Sequence, residues 1–243
     1  MKALILAAGY AVRLYPLTKN FPKPLLKINN KPIISYIVER LEELKEISTI
    51  YIVTNQRYFH HFESWKNQAN TKIPIEIIND QTETEETKLG GIGDIVFTIK
   101  NKNTNDELLI IAGDNIFDFS LQLMMRYFQQ HKKDTISLVE KDNIEELKRG
   151  GIVTLDKNNK IIKFIEKPEH PPTNLYSNCL YIFTKDTVRL YQIYLEQGNN
   201  PDQPGRFVQW LYTRKEVHGF VNKGRIFDIG THESLKRARK EFK

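Results

Sequence analysis

The sequence predicts an α/β fold, a Rossmann-like three-layer sandwich with a mainly parallel central sheet, and three observations carry that expectation. Short apolar runs alternate with helical patterns through the first 140 residues. Several of the runs are apolar throughout instead of at every second position, as strands covered on both faces are. The first run stops abruptly at Ala7-Ala8-Gly9, small residues that let backbone amides come close to a ligand at the end of a buried strand.

Taken in order, Ala3–Ala7, Thr49–Thr54, Ile75–Ile78, Leu108–Ala112 and Thr135–Val139 read as strands. Pro32 opens a helix whose Ile33, Ile37 and Leu41, with Ile34 and Val38 beside them, form one apolar stripe. Ser120–Lys132 reads as a second helix. This strand–helix–strand succession is what builds a parallel sheet with covering helices. Beyond residue 140 the pattern changes. Ile152–Leu155, Ile161–Glu166, Ser177–Phe183, Val217–Val221 and Arg225–Asp228 are strand-like, and Asp156-Lys157-Asn158-Asn159 makes a hairpin turn between the first two. Helical patterns follow at Lys185–Glu196, Phe207–Arg214 and Glu233–Phe242, and residues 198–205 (GNNPDQPG) form the longest irregular stretch. No repeat or flexible linker separates the halves. One domain over 1–243 is expected, with 1–140 and 141–243 as its two parts on a shared sheet and the site in the cleft between them.

The 243 residues can bury a substantial core. A hydrophobic share of 40% with 27% charged residues is ordinary for a globular chain. Five basic residues near the C-terminus, offset by Glu241, carry +4 of the formal +6, which leaves only +2 for the rest. That distribution reads as a solvated last helix with favourable charge at its end and argues against a nucleic-acid partner. Cys179 is the one cysteine, so no intrachain disulfide forms and a reducing, cytoplasmic setting is expected. The chain opens directly on a strand, and no apolar stretch reaches transmembrane length, so no membrane partner is expected.

The most informative run is Leu6–Leu26, LAAGYAVRLYPLTKNFPKPLL. The glycine turn is followed by Arg13, a forked donor, and by Lys23, a point charge locked between Pro22 and Pro24. This combination suits a polyphosphate better than a neutral metabolite. The run is not a P-loop, for no Gly-Lys-Ser/Thr follows, and it lacks the later glycines of a dinucleotide fingerprint. It resembles the N-terminal signature of the sugar-1-phosphate nucleotidyltransferases, Gly-x-Gly-Thr-Arg-Leu-x-Pro-Leu-Thr followed by Pro-Lys-Pro-Leu. Ala11 and Val12 stand where that pattern has its second glycine and its threonine.

The resemblance extends through further segments and implies roles for them. LIIAGDN (109–115) delivers Asp114 to a strand tip, and Asp228 in FDIGT (227–231) ends another; these match the family's two metal-binding aspartates and imply Mg²⁺. Arg13, Lys23, Asp114 and Lys167 are the implied catalytic residues. Ala7, Ala8 and Gly9 would wrap the nucleotide's phosphates. Gly90 and Gly91 would give close backbone approach at a helix start, and Asp80 or Gln81 would read the base. Glu166-Lys167 in IEKP would hold the acceptor, the lysine its phosphate and the glutamate its sugar hydroxyls. Gly151 and Asn178 would flank the sugar, and Cys179 replaces a glycine common there. The first part thus becomes the NTP-binding half and the second a smaller mixed β/α acceptor-binding half.

The activity implied is transfer of a nucleoside monophosphate from an NTP to a sugar 1-phosphate, releasing pyrophosphate, with glucose 1-phosphate and dTTP or UTP as first expectations. A cytidylyltransferase acting on phosphocholine, a polyol phosphate or a phosphonate is the alternative within the chemistry. A non-catalytic nucleotide-sugar-binding regulator is the alternative outside it. The histidines lack metal spacing, and no HExxH, CxxC or Gly-x-Ser-x-Gly is present. A C-terminal helical extension like that of the longer thymidylyltransferases is absent, so a monomer or homodimer is expected.

Overall fold

A computed structural model describes residues 1–242. Its core is a parallel sheet of β1 (Lys2–Leu6), β4 (Thr49–Thr54), β5 (Ile75–Asn79) and β6 (Leu108–Ala112), in the order β6-β1-β4-β5, while the short β2 (Lys27–Ile28) and β3 (Lys31–Pro32) pair with each other apart from it. The register places Ala3 beside Ile50 on one side and Leu109 on the other. Adjacent residues of these strands serve opposite faces. Ala3, Ile5, Ile50 and Ile52 pack into one hydrophobic cluster with helices α1 (Ile33–Glu42), α2 (Phe59–Gln68), α4 (Leu121–His131) and α8 (His232–Glu241). Leu4, Tyr51 and Val53 pack into the other, against α3 (Gly91–Asn101), α6 (Lys185–Glu196) and α7 (Pro204–Leu211). Burial on both faces is why the middles of β1, β4 and β6 are apolar without alternation, whereas β5, at the edge of the sheet, exposes Glu76. The outcome is the expected three-layer α/β sandwich.

Beyond β6 the sheet continues with strands of the second half. The long β11 (Leu175–Phe183) runs antiparallel to β6 and also pairs β8 (Asp134–Glu140) and β9 (Gly151–Leu155). β10 (Ile161–Glu166) closes one end, β12 (Val217–Val221) lies parallel to β8, and the one-turn α5 (Ile144–Leu147) joins β8 to β9. β8 is buried through Val139 yet antiparallel to β11. For this strand the apolar run therefore reports burial of both faces and not strand direction.

β11 shifts register by two between Ser177 and Tyr181. The bulge holds Asn178 and Cys179, the latter in the left-handed region at φ 53°. The expected helix at 207–214 begins earlier, at Pro204, because proline at the first helical position has its φ already set. No helix among the described residues is long and apolar enough to cross a membrane.

Candidate active site

A cavity of about 440 Å³ opens where β1 and β6 end, walled by both halves of the chain. On the first side lies the Ala7-Ala8-Gly9 turn. A methyl group added at Gly9 would meet no atom within 4 Å, so that side of the turn is open space. Ala11 adopts φ 50°, the conformation a glycine takes at no cost. Thr18 Oγ1 donates to its carbonyl at 2.8 Å, and Tyr58 Oη donates to Thr18 O at 2.6 Å. These buried bonds fix the loop that presents Arg13 to the cavity.

Two aspartates 114 positions apart in sequence are brought together by a small ribbon. β7 (Asn115–Phe117) pairs antiparallel with β13 (Ile226–Asp228), and Asp228 faces Asn115 in the register. The Ile229 N–H donates to the carbonyl of Asp114 at 3.1 Å. Burial, and then the charge of Asp114, raise the carboxyl of Asp228 above the usual aspartate range; Lys23, Lys141 and Arg13 act in the opposite sense. Lys23, held in a single 3-10 turn (Lys23–Leu25), is ion-paired with Asp114 Oδ2. Arg13 lies against Gly230, with its Nη2 3.1 Å from where a Cβ would stand.

Among the described residues no group of three or more His, Cys, Asp or Glu forms a metal cluster. The site offers two hard oxygen donors, which suits Mg²⁺, an ion that takes one or two carboxylates and completes its shell with water and substrate phosphates. The mutual charge of Asp114 and Asp228 also favours a cation between them. The residues fit the ion.

Across the cavity, Glu166 and Lys167 leave the end of β10. Burial raises the Glu166 carboxyl above its ordinary value, while Lys167 and Arg206 oppose that rise. α7 approaches closely here, and a Cβ at Gly205 would overlap Glu166 Oε2. Lys167 stands at φ 50° with its N–H donating to Gly150 O at 3.0 Å. Thus Ala11, Lys167 and Cys179, three left-handed non-glycine residues, all line one cavity, the kind of place where backbone strain collects. Asn178 is 3% exposed, and neither Oδ1 nor Nδ2 has a partner in the protein. The neighbouring Asn115 donates to Asn178 O at 2.9 Å while its own Oδ1 is unpartnered. Buried polar atoms with unmet hydrogen bonds, lining a cavity, are suited to hydroxyl groups of a ligand.

Of the residues singled out from sequence, Ala7, Ala8, Gly9, Arg13, Lys23, Gly90, Gly91, Asp114, Gly151, Glu166, Lys167, Asn178 and Asp228 line this one cavity. Asp80 is not on its wall. It is buried behind, with Oδ1 accepting the Thr82 N–H at 2.7 Å, and Gln81 points to solvent. Gly90 and Gly91 do permit a close backbone approach, but part of that approach is made by the protein itself. The Gly91 and Ile92 amides donate to Asp202 O and Pro201 O, both at 2.8 Å. A Cβ at Gly90 would stand 2.7 Å from Asp202 Cα. The 198–205 loop is therefore a strap from the second half of the chain onto the start of α3. It adds Asp202, Gln203 and Gly205, from the stretch expected to be irregular, to the wall; Pro204 at a first helical position is the local signal that part of this stretch is ordered. Asp94, in the first turn of α3, is a further wall residue that the sequence did not single out.

A cleft at the strand tips of an α/β sheet, with cations, a pair of carboxylates and unpaired polar groups, has the chemistry that suits a phosphorylated ligand. Comparison with known proteins makes this particular. A nucleotidyl transferase family model matches residues 2–243, and the chain belongs to that family. It is 31% identical over 240 residues to the bifunctional protein GlmU of Methanocaldococcus jannaschii, covering 99% of this chain and 54% of that protein. It is 27% identical over 187 residues to the UTP–glucose-1-phosphate uridylyltransferase AglF of Haloferax volcanii, covering 76% and 72%. It superposes with a TM-score of 0.82 on a candidate glucose-1-phosphate thymidylyltransferase of Bacillus anthracis solved with a sucrose, at 25% identity over 99% of this chain and 94% of that one. The chain spans about half the length of the GlmU relatives it matches. The resemblance first seen in the N-terminal run, to the sugar-1-phosphate nucleotidyltransferases, is thereby established.

Proposed function

We propose that the protein catalyses NTP + sugar 1-phosphate → NDP-sugar + pyrophosphate, with UTP or dTTP as donor and glucose 1-phosphate as acceptor. One observation carries this reading: the Asp114–Asp228 pair stands at the same cavity as the Ala7-Ala8-Gly9 turn, with Lys167 and Glu166 on the facing wall. An oxygen of the sugar phosphate attacks the α-phosphorus of the NTP in line. The new P–O bond forms as the bond from the α-phosphorus to the bridging oxygen breaks, and pyrophosphate leaves with that electron pair. A phosphate monoester with a second pKa of about 6 is already largely dianionic at neutral pH, so no general base is needed. The barrier is the approach of a dianion to a polyanion. Lys167 holds the acceptor phosphate at attacking distance, while Arg13 and Lys23 offset the charge that builds on the leaving group. Asp114 and Asp228 would hold Mg²⁺, which supplies neutralisation of the reacting phosphates. Glu166 and Asn178 bind sugar hydroxyls.

The test is pyrophosphate release over five NTPs crossed with a panel of sugar 1-phosphates, phosphocholine and polyol phosphates. Turnover with UTP or dTTP and glucose 1-phosphate is expected. Turnover confined to CTP with phosphocholine would replace the acceptor assignment, and release with no acceptor dependence would end the proposal.

Gly205 gives a sharper check on the acceptor side. In Gly205→Ala the new methyl must displace the Glu166 carboxylate from its place against α7. The acceptor KM is expected to rise about tenfold or more, since small misplacements at a binding wall are costly. The NTP KM should stay within about twofold; steady-state kinetics with each substrate varied in turn makes the comparison.

A further inference from the structure

A second cavity, of about 770 Å³, lies beside the first toward α5 and α8, and Arg13, Arg149, Lys167, Tyr176 and Asp228 line both. Four of these five are charged, and three of the four are cations. Tyr176 is the neutral member, and the reaction derived above leaves it without a role. A junction walled by three cations and a phenol suits a phosphate group, which accepts from every one of them.

Tyr176 is placed there by several contacts. It pairs with Val139 of β8 on one side and with Ile152 of β9 on the other. Its ring lies over Gly150, where an added Cβ would stand 2.6 Å from both Cζ and Oη. Gly150 thus leaves its side-chain space to the phenol, while its carbonyl accepts the Lys167 N–H at 3.0 Å. Over the face of the ring stands Lys141, with Nζ 4.0 Å from the centroid. Lys141 is ion-paired with Glu146 Oε2 at 3.0 Å, and Arg237 of α8 holds Glu146 Oε1 at 2.6 Å.

Tyr176 is 7% exposed, yet its hydroxyl has no hydrogen-bond partner among the described residues and is not sealed from the cavities it lines. Buried phenols usually find a partner within the protein. Burial, and then the charges of Asp228, Glu166 and Asp114, push this one above the usual tyrosine value. It stays a neutral donor and brings no negative charge to a place that receives anions.

We propose that Tyr176 is a further substrate-binding residue of the transfer reaction, donating its O–H to a phosphate oxygen of the acceptor beside Lys167. The inference rests on the nucleotidyl-transfer reading given above. The side of the contact follows from Gly150, which meets the phenol and also holds the Lys167 backbone. Lys141 is a positioning residue. A cation over the ring fixes its plane and draws electron density from the phenol, which strengthens the donor. Glu146 and Arg237 tie that placement to the last helix.

Tyr176→Phe removes the hydroxyl alone and keeps the ring between Gly150 and Lys141. The acceptor used is the phosphate ester that turns over best in the panel above, or glucose 1-phosphate if none does. Its Kd is measured by calorimetry with Mg²⁺ and a non-hydrolysable UTP analogue present, and its KM by steady-state rates. Both are expected to rise about tenfold or more, the loss of one hydrogen bond to a charged group. The Kd for UTP should stay within about twofold and the melting temperature within about 2 °C. Lys141→Met should weaken the acceptor about threefold in the wild-type background and not at all in the Tyr176→Phe background, the coupling that action through the ring requires. Gly150→Ala, whose methyl must push the phenol aside, makes the same comparison if Tyr176→Phe does not fold.

An acceptor affinity unchanged by Tyr176→Phe overturns the proposal. So do equal losses for UTP and acceptor together with a lower melting temperature, which would make Tyr176 a prop of the fold. A wild type that binds the acceptor but makes no nucleotide sugar overturns the catalytic reading alone, and the ratio of the two Kd values still decides on the phenol. A wild type that binds no phosphate ester overturns both.

Discussion

Asp114→Asn is expected to lower kcat by about 100- to 1000-fold at saturating substrates and Mg²⁺, on the order of 3–4 kcal/mol of barrier. The substitution keeps the size and one acceptor oxygen, so the ribbon that places Asp114 is not disturbed: it is held by the β7–β13 pairing and by the Ile229 N–H on the Asp114 carbonyl. What changes is charge. The carboxylate lost is the one that pairs with Lys23 and raises the Asp228 carboxyl. Asp228 should accordingly ionise more readily in the variant, while Lys23 is left without its partner. These two effects oppose each other in stability, so the melting temperature without ligand should move by no more than about 3 °C. The separation between a large kinetic loss and a small thermal one is the informative result. It is read from steady-state turnover together with melting curves with and without Mg²⁺ and UTP. A variant that turns over at near wild-type rate removes Asp114 from the metal assignment. One that melts far lower instead makes the pair with Lys23 a structural clamp.

The sequence made the centre of this fold plain and its edges less so, for physical reasons. β1, β4 and β6 were readable because strands buried on both faces need apolar residues throughout, and their expected spans differ from the observed ones by at most a residue at each end. β7 was not readable, because a strand of three residues has no periodicity; its significance comes from a partner more than 100 positions away. The meeting of Asp114 with Asp228 could thus be expected only through resemblance.

Asp80 illustrates a different limit. Successive side chains at a strand end alternate direction, so a one-residue difference decides whether a group faces the ligand or the core. At this strand end the core-facing position belongs to Asp80, and the wall position is taken by a helix residue that sequence reading passed over. The same holds for residues 198–205, whose carbonyls meet α3 amides in a non-local contact that no local pattern reveals.

Lys167 offers the cleanest separation of chemistry from folding, because its backbone already asks for glycine. At φ 50° a residue with a Cβ carries about 1–2 kcal/mol of strain. Lys167→Gly relieves that strain but adds about 0.4–1 kcal/mol of freedom to the unfolded chain. The two nearly cancel, and the exposed side chain makes no ion pair among the described residues. The melting temperature should therefore fall by no more than about 2 °C and can rise. Activity should not follow. If Lys167 holds the acceptor phosphate, kcat/KM for the sugar phosphate drops about 100-fold, near 3 kcal/mol, from the loss of one charge contact to the reacting group. The NTP should still bind, with a Kd within about twofold, since Lys167 belongs to the facing wall. Lys167→Arg is the companion variant: it keeps the charge and the strain, and about a tenth of the activity should return, limited by the different reach of a planar fork. Calorimetry with each substrate separately, beside steady-state rates, distinguishes this pattern from general damage. Equal losses in NTP and acceptor binding would place Lys167 in the scaffold of the cavity and not at the attacking phosphate.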